Sequence, residues 1–424
     1  MYQTTVLDNG LKIATAYMPA MQSMCLGFWV KTGGRYETKE LAGISHFLEH
    51  LLFEETKNRT SKQIKQAIEG IGGSLNGFTG EEMTCFLVKI LSRHLDLSVE
   101  VLSDMLLNAA LSDVSIEKER SVITEEIKMY LDLPGHYVIE LLNELMWPGQ
   151  PLGMFLTGTA ETVGAIKKQD LLDYKNKFYI PNNMIIVLAG PIKHDIVVRS
   201  CSRFFEKLPR KQAVYFKPVE LNQKTPRSNL HYKETEQIHI AMGVPAVSVD
   251  DPDRFAVNLM HILLGANMSS RLFQEIREKR GLAYEISTGV KKYKDAGVFV
   301  VSAGVRNEKF SQAVEVILKE LNKIKRDPPD KDELKRAKEF YSGQTLMALE
   351  DTADHMIWLG EQVTIRDKFL TAEEILKNID KITSEDICRV ASKFFKSQTL
   401  NIAAIGPVTD KDKTGINKIM ETLG

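Results

Sequence analysis

The sequence predicts an α+β fold of two homologous halves, each a largely antiparallel sheet packed with helices. Two observations lead there. The chain repeats itself at about half its length, and each copy sets apolar runs of strand length beside long stretches of helical apolar spacing.

The repeat is clearest near the end of each copy. Ile166–Ile192 resembles Ile382–Val408: Asp170 matches Asp386, Phe178 matches Phe394 and Gly190-Pro191 matches Gly406-Pro407, always 216 residues apart and without a gap. Each copy reads as a helix followed by an apolar strand closed by Gly-Pro, where proline lacks the N–H to extend a ladder. Earlier parts follow. The strand around Gly27 pairs with that around Gly243 at an offset of 216, and the helical Val99–Leu102 pairs with Val314–Ile317 at 215. The expected organisation is therefore an N-terminal half at 1–207, a linker at 208–230 and a C-terminal half at 231–424. The stretch Leu208–Gln237 is polar, holds three prolines and includes the first strand of the second half.

At the other end, residues 1–17 read as a strand, a turn at Asp8-Asn9-Gly10 and a second strand. Leu95–Leu107 carries helical apolar spacing. No stretch is apolar enough for a membrane helix. The 424 residues carry 55 Lys+Arg against 56 Asp+Glu, which excludes a broad basic surface for nucleic acid. Cys25, Cys85, Cys201 and Cys388 are scattered, so neither a disulfide framework nor a cysteine zinc site is expected. A soluble protein of a reducing, cytoplasmic compartment, with neither nucleic acid nor membrane as partner, is the simplest expectation.

The first half contains H-x-x-E-H at His46, Glu49 and His50. Histidines four apart on a helix project from one face, one turn apart, and Glu49 lies on the same side. Two neutral imidazoles at this spacing suit Zn²⁺, with the carboxylate placed to take a proton from an activated water. The order inverts H-E-x-x-H and defines the inverzincin pattern. A pair of structural histidines on an amphipathic helix is the alternative.

A catalytic zinc commonly has three protein ligands, so one more is needed. Ser112–Leu131 reads as a helix with Ser112, Asp113 or Ser115 as N-cap. Val122, Ile123 and Tyr130 flank Glu126 at helical spacing, which places Glu126 on the core-facing stripe, with Glu119 two turns earlier on nearly the same face. A carboxylate there is costly unless paired or bound to a metal. A buried salt bridge is the other reading of Glu126, and Glu125 falls on the solvated side.

With these residues in view, the whole chain resembles the pitrilysin-type zinc metallopeptidases, in particular a short bacterial branch similar to mitochondrial processing peptidase. The resemblance rests on LDNGLKI at Leu7–Ile13, GRYETKELAGISHFLEHLLF at Gly34–Phe53, EKERSVITEE at Glu117–Glu126 and SSRLFQEIREKRGLAY at Ser269–Tyr284. It implies one zinc per chain held by His46, His50 and Glu126, Glu49 as general base, and Glu119 as a supporting carboxylate. It also implies that Arg277 and Tyr284 bind the substrate backbone and stabilise the oxyanion. The segment with Asn76, Thr79 and Thr84 would form an edge strand that binds extended peptide by strand addition. The implied activity is endopeptidase cleavage of unfolded peptides and oligopeptides, by a chambered homodimer. The alternative is a non-catalytic, substrate-binding subunit of a heterodimeric processing peptidase, for which lost ligands would be the signature.

The second half reads as a degenerate copy. His261 stands opposite His50, but Val257 and Met260 replace His46 and Glu49, and Ser342 and Lys335 fall opposite Glu126 and Glu119. His261 is expected to be a packed core histidine. The chain departs from the resembled pattern at Glu54-Glu55, where Lys-Gly is common, and at Met154, where a basic residue is common. Either departure is expected to affect substrate preference or domain contacts, with acidic peptides less favoured near Glu54 and Glu55.

Overall fold

The repeat in the sequence is a repeat of sheets. A computed structural model describes residues 2–366 and 369–423. The first sheet holds β1 (Tyr2–Val6), β2 (Lys12–Tyr17), β3 (Ser23–Val30), β4 (Ser74–Thr79), β5 (Thr84–Leu91) and β6 (Met184–Gly190), in the order β1-β2-β6-β3-β5-β4. The second holds β7 (Arg227–Tyr232), β8 (Gln237–Pro245), β9 (Ala283–Lys292), β10 (Gly297–Arg306) and β11 (Asn401–Gly406), in the order β7-β11-β8-β10-β9. Without β1 the two orders match strand for strand. Each sheet is antiparallel except at one pair, β2 with β6 and β7 with β11, where the last strand of each sheet lies parallel to an early one. Strand β7 starts at Arg227, inside the stretch expected to be linker.

The compact units are not continuous segments. One comprises Met1–Lys128, Met154–Lys217 and Leu346–Phe369; the other comprises Met129–Gly153, Pro218–Thr345 and Leu370–Gly424. Helix Pro134–Met146, from the first half of the chain, lies on β8 and β11, while helix Thr352–Ile365, from the second half, lies on β3 and β6. In the first unit Met356, Leu359 and Val363 join a core with Trp29, Ile185 and Val187. In the second, Val138, Leu141 and Leu142 join Ala241, Val298 and Ala403.

The matched glycines serve these two helices. A Cβ at Gly27 would meet Met356 Sδ at 2.4 Å, and one at Gly243 would meet Leu142 Cδ1 at 3.1 Å. Each strand thus lacks a side chain where a helix presses closest. The registers nevertheless differ. Gly27 pairs with Val187 across β3 and β6, but Ala403, the repeat counterpart of Val187, pairs with Ala241 and not Gly243. Strand β8 is displaced by two residues relative to the sequence match, a shift that keeps every side chain on its face.

Candidate metal centre

Helix Ile44–Leu52 carries H-x-x-E-H. Ile44, Phe47, Leu48, Leu51 and Leu52 are buried and seat it in the first unit. No side chain at its N-cap, Gly43, caps it. Instead Glu37, buried in the preceding loop, accepts from Gly43 N–H through Oε2 at 2.7 Å and from Ser45 N–H through Oε1 at 2.8 Å. Burial pushes the Glu37 carboxyl up to about 7. Ser45 Oγ also bonds Tyr174 Oη at 2.7 Å, and Tyr174 Oη bonds Thr32 Oγ1 at 2.7 Å, so the first turn is fixed on several sides.

Helix Asp113–Asp132 faces it. Ser112 Oγ accepts from Ser115 N–H at 3.2 Å at its start. The buried stripe is Ile116, Glu119, Ile123 and Ile127. This differs from the expected stripe: Val122 is exposed, and Glu126 is half-buried at the edge, one heptad after Glu119. Glu125 is solvated beside Lys128, as its position on the helix implied.

The three expected ligands come together. Among the described residues, His46, His50 and Glu126 form the one group of three His, Cys, Asp or Glu side chains whose ligand atoms all lie within 4.8 Å of one another. His46 Nε2 is 3.7 Å and His50 Nε2 3.5 Å from Glu126 Oε2, and the imidazole centroids are 4.5 Å apart. These separations exceed a hydrogen bond. They are close to the ~3.3 Å between two donors held about 2.0 Å from a tetrahedral zinc. The donor set of two imidazoles and one carboxylate therefore fits zinc in spacing and in chemistry.

Electrostatics agree. Burial and the neighbouring His50 hold His46 down at about 4, so its imidazole is neutral and able to ligate. At His50 burial works downward, but Glu119, Glu49 and Glu126 outweigh it and hold the ring above its ordinary value, in a pocket that favours a cation. Burial raises the Glu49 carboxyl against the opposing pull of Thr79 and His50. Glu119 is desolvated too, yet its bond to His50 and the nearby Lys118 keep it below the usual carboxylate range.

The remaining expected residues divide. Asn76 and Thr79 lie on the edge strand β4, where Asn76 Oδ1 accepts from Gly77 N–H at 2.8 Å. Thr84 does not: it opens β5, between β3 and β4, fully buried, with its hydroxyl given to Thr32 O at 3.0 Å. Thr32 lies just past the end of β3, so the Thr84 side chain is tied to the backbone there. Thr79 Oγ1 donates to Glu49 Oε2 at 2.8 Å, a link between residues 30 apart that spacing does not reveal. Glu54 is buried and paired with Lys118, and Glu55 accepts from Ser115 Oγ at 3.0 Å. These carboxylates join the exit of helix Ile44–Leu52 to the start of helix Asp113–Asp132.

In the second unit, Arg277 lies near the end of a π-helical stretch, Phe273–Glu278, a form that recurs at functional sites. Its guanidinium lies 4.9 Å from the ring centroids of both Phe273 and Tyr284. Tyr284 is 74% exposed. His261, expected in the core, is half-buried, and its Nδ1 bonds Thr288 Oγ1 at 2.7 Å.

Comparison with known proteins places these features in context. The chain matches the family described as insulinase (peptidase family M16) over residues 12–160 and the one described as peptidase M16 inactive domain over residues 165–341. It is 33% identical over 419 residues to an uncharacterized zinc protease of Streptomyces coelicolor, covering 97% of this chain and 91% of that protein. It is 32% identical over 409 residues to the uncharacterized zinc protease YmxG of Bacillus subtilis, covering 96% and 98%. In fold it is similar to the crystal structure of a protease from Helicobacter pylori, with a TM-score of 0.90, 22% identity and coverage of 96% and 99%.

Proposed function

The chain belongs to peptidase family M16, and from that premise we propose that it is a zinc-dependent endopeptidase acting on unfolded peptides and oligopeptides. One observation carries the reading: His46 Nε2 and His50 Nε2 stand 3.7 and 3.5 Å from Glu126 Oε2, at ligand spacing, with Glu49 in the turn between the two histidines. The named relatives, both zinc proteases, support it.

In this reading His46, His50 and Glu126 hold one zinc per chain, which when bound acts as a Lewis acid toward water and the scissile carbonyl. Glu119 accepts from His50 Nδ1–H and so turns Nε2 toward the ligand cluster. Glu49 takes the proton from the attacking water at Oε1, since Oε2 is occupied by Thr79, and returns it to the leaving amine. Strand β4, at the edge of its sheet, takes the extended peptide by main-chain hydrogen bonds, with Asn76 on that strand. Arg277 and Tyr284 take the peptide backbone and the developing oxyanion. Their support is the resemblance, the exposure of Tyr284 and the stacking that holds the guanidinium. The half 1–207 then supplies the metal ligands and the peptide-binding edge strand, and the half 231–424, joined to it by 208–230, supplies Arg277 and Tyr284. A cytoplasmic homodimer completes the proposal; among the described residues no helix is long and apolar enough to cross a membrane.

The test is metal analysis together with cleavage of an unstructured peptide by the wild type and Glu49→Gln. About one zinc per chain in both proteins, with turnover lost only in the variant, is expected. A wild type that binds no zinc, or a variant as active as the wild type, would reject the reading. The alternative of a non-catalytic substrate-binding subunit predicts no stoichiometric zinc.

A further inference from the structure

We infer that Thr79 is a positioning residue that aims the Glu49 carboxylate, and that the edge strand β4 therefore sets the catalytic base as well as offering a peptide-binding edge. The inference rests on the reading of Glu49 as the base.

Residues alternate across a strand, so Gly77 and Thr79 share the face of β4 opposite to that of Phe78. Both approach Glu49. Thr79 Oγ1 donates to Glu49 Oε2 at 2.8 Å. Gly77 passes the other oxygen: a Cβ built there would stand 3.0 Å from Glu49 Oε1 and 2.8 Å from Phe53 Cζ. One strand thus anchors one carboxylate oxygen and flanks the other with side-chain-free backbone. Phe53, which follows the histidine helix, presses on the same glycine.

The strand that does this is itself fixed. Phe78, on the far face, packs edge-on against the fully buried Trp29, with centroids 5.4 Å apart. Thr79 pairs with Thr84 and Gly77 with Phe86 in the antiparallel ladder with β5. A free glutamate on a helix rotates about three side-chain torsions. The hydroxyl removes that freedom at the point where a proton must move, and a displacement of about 1 Å in a reacting group is enough to cost ~100-fold in rate. It also withdraws the Thr79 side chain from substrate. The sequence suggests a peptide contact for Thr79; the geometry assigns it to the base.

The test compares Thr79→Val, which removes the donor at nearly constant volume, with Thr79→Ser, which restores it. Four quantities are read: kcat, KM, the affinity of a fluorescent peptide for each protein stripped of metal by chelation, and zinc content with melting temperature. Thr79→Val should lower kcat about tenfold or more while KM, peptide affinity, zinc content and melting temperature stay at wild-type values. Thr79→Ser should recover kcat to within about threefold of the wild type. Peptide affinity or KM that worsens while kcat holds would return Thr79 to a substrate contact and overturn the inference. Unchanged kcat in Thr79→Val, or a serine variant as slow as the valine one, would overturn it as well. A wild type without zinc or turnover would fail at the earlier step and reject the peptidase reading itself.

Discussion

His50 Nδ1 lies 3.1 Å from Glu119 Oε2, and the opposite nitrogen of the same ring lies 3.5 Å from Glu126 Oε2. Glu119 and Glu126 are one heptad apart on a single helix, so the imidazole is held between two carboxylates projecting from one face. In the proposed function the first accepts from Nδ1–H, which leaves Nε2 for the metal, and the second is a fellow ligand. Removing an outer partner of a ligating histidine typically costs 10–100-fold in metal affinity. Glu119→Ala is therefore expected to weaken zinc binding by about that factor, measured by competition with a chromophoric chelator, with turnover recovering as free zinc is raised. Unaltered zinc affinity would deny Glu119 this role.

How far the sequence speaks depends on how local each relationship is. His46, Glu49 and His50 are legible because three residues within one turn of a helix have only one relative arrangement. Glu126 is legible because a carboxylate beside an apolar stripe demands a reason, although the stripe itself runs through Ile116, Glu119, Ile123 and Ile127. Glu37 is not legible: it caps a helix that begins after Gly43, and a cap from an earlier loop leaves no local signature. The link from Thr79 to Glu49 is hidden for the same reason. Periodicity states that helix Pro134–Met146 has an apolar face but not which sheet covers it, so its place on β8 and β11 is a tertiary fact. The two-residue displacement of β8 escapes detection because a period of two repeats at every such shift.

The degenerate second half predicts a pH dependence of stability. His261 matches His50 in the repeat, but its half-buried ring is tied within its own unit: Thr288 Oγ1 gives its proton to His261 O at 3.1 Å, so Nδ1–H donates to that hydroxyl at 2.7 Å. Burial, with Lys292 nearby, pushes the ring down to about 4. The unfolded chain binds this proton near pH 6.5 and the folded one near pH 4, so stability is intact above pH 6.5 and is lost as pH falls through that window. At pH 5 the loss from this one group is about 2 kcal/mol. His261→Asn keeps a donor near Nδ1 without the titration. Denaturant unfolding of chelator-treated proteins should show the variant losing about 2 kcal/mol less than the wild type between pH 7 and pH 5. Equal losses would mean that the ring is protonated in the folded protein.

The exchanged helices predict which sheet feels a core mutation. Leu142 is fully buried on helix Pro134–Met146, and its Cδ1 lies 3.1 Å from where a Cβ at Gly243 on β8 would stand. By sequence position it belongs to the half that carries His46, His50 and Glu126. By packing it belongs to the core with Ala241, Val298 and Ala403. Leu142→Ala removes a buried isobutyl group and leaves a cavity, a change that costs about 2–5 kcal/mol. Local stability is read residue by residue from amide hydrogen exchange. The variant should lose protection in β8, β10 and β11 while β3, β5 and β6 keep theirs, and its zinc content should stay at the wild-type value. Met356→Ala on helix Thr352–Ile365 should do the reverse, weakening β3 and β6, because Met356 is fully buried against Trp29 in the other core. Loss of protection in the sheet nearest in sequence, for either variant, would contradict the exchange.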